Sequence, residues 1–97
     1  MTKEINEEEI PKEQKFLEGI VKELVTKQDE INIVRTVDDR GTLYTITADK
    51  DDVSKIIGRN GNIAQAIRLL LKAVGYKYGV RASMKIDVPH PQQTNKE

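Results

Sequence analysis

The stretch Val53-Ser54-Lys55-Ile56-Ile57-Gly58-Arg59-Asn60-Gly61-Asn62-Ile63-Ala64-Gln65-Ala66-Ile67-Arg68 organises the chain. A short apolar-basic segment runs up to Gly58, and a strongly helical pattern begins after Gly61. Two glycines, with a basic and an amide residue between them, therefore join two helices. Neither glycine carries a Cβ, so backbone N–H groups at such a joint can come close to a phosphate. The helix N-terminus just beyond adds partial positive charge. The loop is thus a candidate grip on the backbone of a nucleic acid. It is not a nucleotide-binding fingerprint, because it lacks the Lys-Ser/Thr ending of a P-loop and the G-x-G spacing of a dinucleotide fold.

Upstream of the loop, Asp49 or Asp51 can cap a short helix, and Asp51 and Asp52 suit its first turn. Capping accounts for these three acids with less assumption than a metal site. The helix carries Val53, Ile56 and Ile57 inward and stops at Gly58, a natural C-terminus. Downstream, Asn62 can cap the next helix, with Gln65 in a capping-box position. Ile63, Ile67, Leu70, Leu71 and Val74 recur at helical spacing and predict its buried stripe. Gly75 is expected to end it. Arg68 and Lys72, four apart, share an outer side.

The flanks supply the rest of the domain. Phe16, Leu17, Ile20, Val21, Leu24 and Val25 form one apolar stripe, which predicts a first helix from about Pro11 to Lys27. Ile31–Val37 is rich in β-branched residues and reads as a strand. Asp38-Asp39-Arg40-Gly41 reads as a turn, and Thr42–Ala48 as the second strand of a hairpin. Tyr44, Ile46 and Ala48 share one face of it, and the threonines are assigned to the other. After Gly79, residues Arg81–Val88 alternate again and predict a third strand, with Ala82, Met84, Ile86 and Val88 facing one way. The order is helix, strand, strand, helix, helix, strand. Three amphipathic helices can cover one face of a three-stranded sheet, giving an α+β fold with a single core.

Composition limits what such a chain can be. At 97 residues it is one domain, with little room for a deep catalytic cleft beside its core. The arm 1–10 is acidic and aperiodic, residues 11–88 form the domain, and 89–97 is a polar tail. There is no Cys, which rules out disulfides and fits a reducing cytoplasm. No apolar run approaches the ~20 residues of a membrane span. Lys plus Arg and Asp plus Glu both number 16, yet the charges are segregated. Residues 1–30 hold five Lys against eight Glu and one Asp. Residues 53–85 hold seven bases (Lys55, Arg59, Arg68, Lys72, Lys77, Arg81 and Lys85) and no acid. An acid-free basic segment around the loop is what an anion-binding site requires.

These residues also carry a resemblance. The stretch from Val53 to Arg68, with its apolar-basic helix end, G-x-x-G loop and apolar helix start, resembles the signature of a KH domain. From about Phe16 to Val88 the chain is similar to the small bacterial single-KH proteins of the KhpA family. The matching stretches include Phe16-Leu17-Glu18-Gly19-Ile20-Val21-Lys22 and Ala66-Ile67-Arg68-Leu69-Leu70-Leu71. The element order is that of the type II, or prokaryotic, KH fold. The resemblance implies a cytoplasmic RNA-binding protein that is not an enzyme and needs no cofactor, a post-transcriptional regulator or RNA chaperone. It implies that Gly58, Arg59, Asn60 and Gly61 clamp the backbone of single-stranded RNA, with Asn62 at the clamp's end. A neighbouring apolar groove takes the bases, lined nearest the loop by Ile56, Ile57 and Ile63. Lys55 and Arg68 supply flanking charge. The resemblance also implies self-association or pairing with a second KH protein of the KhpB type.

Two other functions use the same residues. One is a protein-interaction module whose KH surface serves assembly; the other is single-stranded DNA binding through the same loop. Lys72, Lys77, Arg81 and Lys85 fit either an RNA-facing or a solvated surface. Tyr76 and Tyr78 are candidate stacking platforms, and Tyr44 belongs to the core. His90 lies between two prolines without a partner that would make it a base or a ligand.

Overall fold

A computed structural model describes residues 10–88. The acidic arm and the tail, with His90, lie outside the described residues, Ile10 apart. The elements are α1 (Lys12–Leu24), β1 (Asn32–Asp38), β2 (Gly41–Thr47), α2 (Lys50–Ile57), α3 (Asn62–Lys77) and β3 (Ala82–Ile86). β1 pairs antiparallel with β2, which pairs parallel with β3, so β2 is central. The α2–α3 pair is the crossover that parallel neighbours require. This is the expected α+β, type II KH-like arrangement, with the helices on one face of the sheet.

One core holds the layers together. α1 contributes Leu17 and Val21, α2 Ile56, α3 Ala64, Ile67 and Leu71, and the strands Tyr44, Ile46, Ala82 and Met84. Each large apolar side chain buried this way contributes roughly 1.5–3 kcal/mol. Ile56 and Ile67 belong to this core and stand on either side of the loop, so the core sets its position. Thr42 is also buried, against the assignment of the threonines to the outer face. Side chains alternate along a strand, so Thr42 sides with Tyr44 and Ile46, and only Thr45 and Thr47 point outward.

α3 departs from its sequence reading in three ways. Gly75 does not end the helix but lies buried inside it. A Cβ there would sit 2.7 Å from the Val80 carbonyl oxygen and 3.0 Å from Ala82 Cβ. Its role is to let the chain entering β3 pack against the helix. The capping box does not form: Asn62 is itself helical, Gly61 takes the N-cap position, and no side chain caps the helix. Leu70, expected in the core, is 49% exposed.

Two buried acids join distant segments. Glu13, 2% exposed, accepts a 2.8 Å hydrogen bond from the Tyr44 hydroxyl. Burial and then this carboxylate push the Tyr44 hydroxyl well above its ordinary range. Asp52, 1% exposed, accepts from the backbone N–H groups of Thr26 (3.1 Å) and Lys27 (2.8 Å). These two bonds capture the chain just past Leu24, where α1 ends short of the expected Lys27. Asp49 is the residue that caps α2, accepting from the Asp51 N–H at 3.0 Å.

Candidate nucleic-acid interface

α2 closes with the Gly58 N–H donating to the Ser54 carbonyl at 2.9 Å. Gly58 then takes φ 79° and ψ 176°, a conformation essentially reserved for glycine. A Cβ there would also meet Ile63 Cγ1 at 2.5 Å and Asn62 Oδ1 at 2.6 Å. Arg59–Gly61 form one 3-10 turn, with the Gly61 N–H donating to the Gly58 carbonyl at 3.2 Å. Asn60 sits at φ 56°, a left-handed conformation that asparagine tolerates. Gly61 is left-handed too, but nothing lies within 4 Å of the place a Cβ would occupy. The two glycines thus differ: Gly58 is closed in against α3, and Gly61 leaves the outer side of the loop open. Arg59 and Asn60 project between them, both exposed.

The other sequence-predicted site residues spread over three environments. Ile57 and Ile63 are half-buried beside the loop, and Asn62 is exposed at the start of α3. Ile56 is completely buried, so it lines no groove. On α2 the inward face holds Val53 and Ile56, three apart, and Ile57 lies a further ~100° round the helix. The Lys55 ammonium donates to Asp52 (2.9 Å) and to the Thr26 hydroxyl (2.7 Å), which turns it away from duty as a free flanking charge. Arg68 reaches across from α3, its Nε donating to the Met84 carbonyl at 3.2 Å.

That last bond identifies a surface the sequence did not reveal. The Thr42 N–H donates to the Arg81 carbonyl, and the Asp87 N–H to the Ile46 carbonyl, both at 2.8 Å. A strand alternates the sides to which its backbone groups point. Ser83 and Lys85 therefore face β2, and Ala82, Met84 and Ile86 aim their N–H and C=O groups at the free edge. Arg68 satisfies one of these carbonyls. Between this edge and α3 lies a groove of about 450 Å³, lined by Gln65, Arg68, Leu69 and Lys72 on the helix side. Arg81–Ser83 form the opposite wall, and Arg40 reaches in from the hairpin turn. No acid lines it.

Arg40 apart, the groove's charge is also uncompensated. The ion pairs among the described residues use Lys27, Arg40 and Lys55. Arg59, Arg68, Lys72 and Arg81 have no carboxylate partner there. Arg40 and the strand edge escaped the sequence reading because parallel pairing of β2 with β3 is what brings them to α3, and no local pattern encodes that crossover.

The model of the KhpA/KhpB KH domain matches residues 14–86, from early α1 to the end of β3. The chain belongs to this family. RNA-binding protein KhpA of Borreliella burgdorferi is 41% identical over 71 residues, 73% of this chain and 87% of that protein. The protein of the same name from Streptomyces coelicolor is 36% identical over 74 residues, 76% of this chain and 91% of its own length. That of Oceanobacillus iheyensis is 44% identical over 58 residues, 60% of this chain and 77% of its length. No solved structure matches the chain. The family match spans the loop, both flanking helices and β3, so it covers the whole groove. Among the described residues, no helix is long and apolar enough to cross a membrane.

Proposed function

We propose that this chain binds single-stranded RNA, with phosphates at Gly58–Gly61 and bases in the groove between α3 and the β3 edge, as a post-transcriptional regulator or RNA chaperone. The observation that carries the reading is the open, glycine-flanked loop at the head of α3, the helix whose side further on lines a groove without acids. The names of its KhpA relatives agree with it. In this arrangement the exposed loop lets phosphate oxygens approach backbone N–H groups, and Arg59 adds a charge-assisted bond. Leu69 offers an apolar surface to the bases, and the Met84 N–H can donate to a base edge. The Nε bond to Met84 holds the Arg68 guanidinium over the groove, leaving its terminal amines for the strand. A duplex cannot present unstacked base edges to so narrow a strand edge.

The test is a binding titration with a twelve-nucleotide single-stranded RNA, its duplex, and DNA of the same sequence. If about four phosphates are contacted, affinity falls about 50-fold between about 50 and about 200 mM salt. The duplex is expected to bind at least about tenfold more weakly. Binding that ignores salt, or that favours the duplex, would overturn the reading. Equal affinity for DNA would show that the groove does not use the 2′-hydroxyl.

A second reading, assembly with another KH domain, rests on the outer face of α3. Ala66, Leu69, Leu70 and Ala73 recur at i, i+3, i+4 and i+7 and are all exposed, Leu69 at 68%. Such a stripe normally meets a partner, and alanines at its centre allow a second helix close approach. The occupant proposed is the same stripe of a second copy, related by a two-fold axis. Sizing of nuclease-treated protein is expected to show a dimer that Leu70→Glu converts to a folded monomer. A parent that runs as a monomer at high micromolar concentration would refute self-assembly, and a dimer formed only on adding a KhpB-type protein would assign the face to that partner.

A further inference from the structure

We infer that the RNA strand held at Gly58–Gly61 continues along α3 to a second nucleotide seat formed by Tyr76 and Arg81, an inference that rests on the RNA reading above. α3 starts at the loop, and the fourteen steps from Asn62 to Tyr76 span about 21 Å of helix. Tyr76 is 86% exposed, so its ring contributes almost nothing to the core. It borders a hollow of about 510 Å³ whose floor is Gly79, Val80 and Arg81. This hollow shares Arg40 and Arg81 with the groove beside Arg68 and Lys72, so the two adjoin at those side chains, and the inferred path of the strand takes both as one trough.

The chemistry of the trough suits a nucleotide of any sequence. Every base has a π-face for an exposed tyrosine ring, and stacking of this kind is tolerant of base identity. Arg81 has no carboxylate partner among the described residues, so its guanidinium is available for the phosphate. Arg40 is held by Asp38 at 3.1 Å. Asp38 and Asp39 stand on the hairpin wall of the hollow, which places the phosphate toward Arg81 and Lys72 and the base toward Tyr76. Nothing lies within 4 Å of a Cβ added at Gly79, so the floor stays open. Tyr78 is not part of the seat, because the Lys77 ammonium lies over its ring at 5.3 Å.

The experiment is fluorescence anisotropy with uridine oligomers of four, eight and twelve nucleotides, using the full chain and the variants Tyr76→Ala, Arg81→Gln and Arg59→Asp. Eight uridines offer about five registers to a four-nucleotide clamp, so a gain of about fivefold over the four-nucleotide oligomer comes from counting alone. The seat is expected to raise that gain to about 50-fold. Tyr76→Ala should cut affinity for the eight-nucleotide oligomer about tenfold and leave the four-nucleotide oligomer unchanged; Arg81→Gln, whose side chain also lines the groove, should weaken the eight-nucleotide oligomer about tenfold more than the four-nucleotide one. Both side chains are exposed, and circular dichroism is the check that the variants fold. A parent gain of only about fivefold overturns the seat and leaves the clamp intact. A larger gain that survives in both variants also overturns it, since two clamps on two copies would behave that way. Loss of binding at every length in Arg59→Asp, with the parent intact, supports the clamp on which the seat depends. A parent that binds no oligomer refutes both.

Discussion

The double variant Arg59→Asp, Asn60→Asp is expected to bind single-stranded RNA about 100-fold less tightly than the parent, at an unchanged melting temperature. The size of the effect follows from a net charge change of −3, one positive charge lost and two negative charges gained, in the loop at the head of α3, whose groove contains no acid. Arg59 is exposed and without a carboxylate partner among the described residues, so its replacement breaks no internal contact. Asn60 holds a left-handed backbone at φ 56°, which aspartate also accepts. Gly58 and Gly61 remain, so the turn keeps both of its positive-φ glycines. Nearly all of the loss should therefore appear as binding and almost none as stability. Filter binding to a cellular RNA pool measures the first and a thermal melt the second. A folded double variant that binds as well as the parent would remove the loop from the site.

Asp52→Ala is expected to do the opposite, lowering the melting temperature by about 10 °C or more. Its carboxylate receives the backbone N–H groups of Thr26 and Lys27 and the Lys55 ammonium, and it is 1% exposed. Alanine leaves three donors without their acceptor inside a packed joint between α1 and α2. Asp52→Asn keeps the shape but cannot accept at both of its side-chain heads, and should fall between the two. The same bonds, led by that from the Lys27 N–H and then by Lys55, hold the carboxyl at about 2, against an ordinary 3.8. A carboxyl depressed by folding stabilises the native state fully above its unfolded value and loses that effect as pH falls through its folded value. Asp52's contribution should therefore be complete above about pH 4 and fade toward about pH 2. Melts over this range should show a steeper acid loss for the parent than for Asp52→Asn. Parallel curves, or a shift of only a degree or two in Asp52→Ala, would show that the joint does not depend on this carboxylate.

The two variants separate parts of the protein that the sequence reveals to different degrees. Arg59 and Asn60 were legible because they lie between two glycines within four residues, and the conformation they need is local. The element order was legible for a similar reason, since alternation at Tyr44 and Ile46 and the spacing of Leu17 and Val21 are short-range periods. Asp52 was read only as a first-turn acid. Its actual partners lie 25 and 26 residues earlier in the chain, a separation no period reports.

The groove shows the same division. Arg68 could be placed on an outer side of α3 from its spacing with Lys72, but its bond to Met84, 16 residues on, depends on where β3 docks. Ile56 and Ile57 are equivalent in sequence; the core cluster that also holds Ile67 and Leu71 takes in the first and leaves the second half-buried beside the loop. Leu70 looked as internal as Leu71, and Gly75 looked like a helix end, because a stripe gives the side of a helix without its neighbours. By itself, then, the sequence determined the elements, their order, the glycine loop and the acid-free segment around it, all of which arise from residues a few positions apart. Tertiary structure alone decided which isoleucine is core, which strand edge is free, and that Arg40, Arg68, Lys72 and Arg81 meet along one groove. Those outcomes depend on contacts between distant segments, set by a parallel crossover whose register has no local signature.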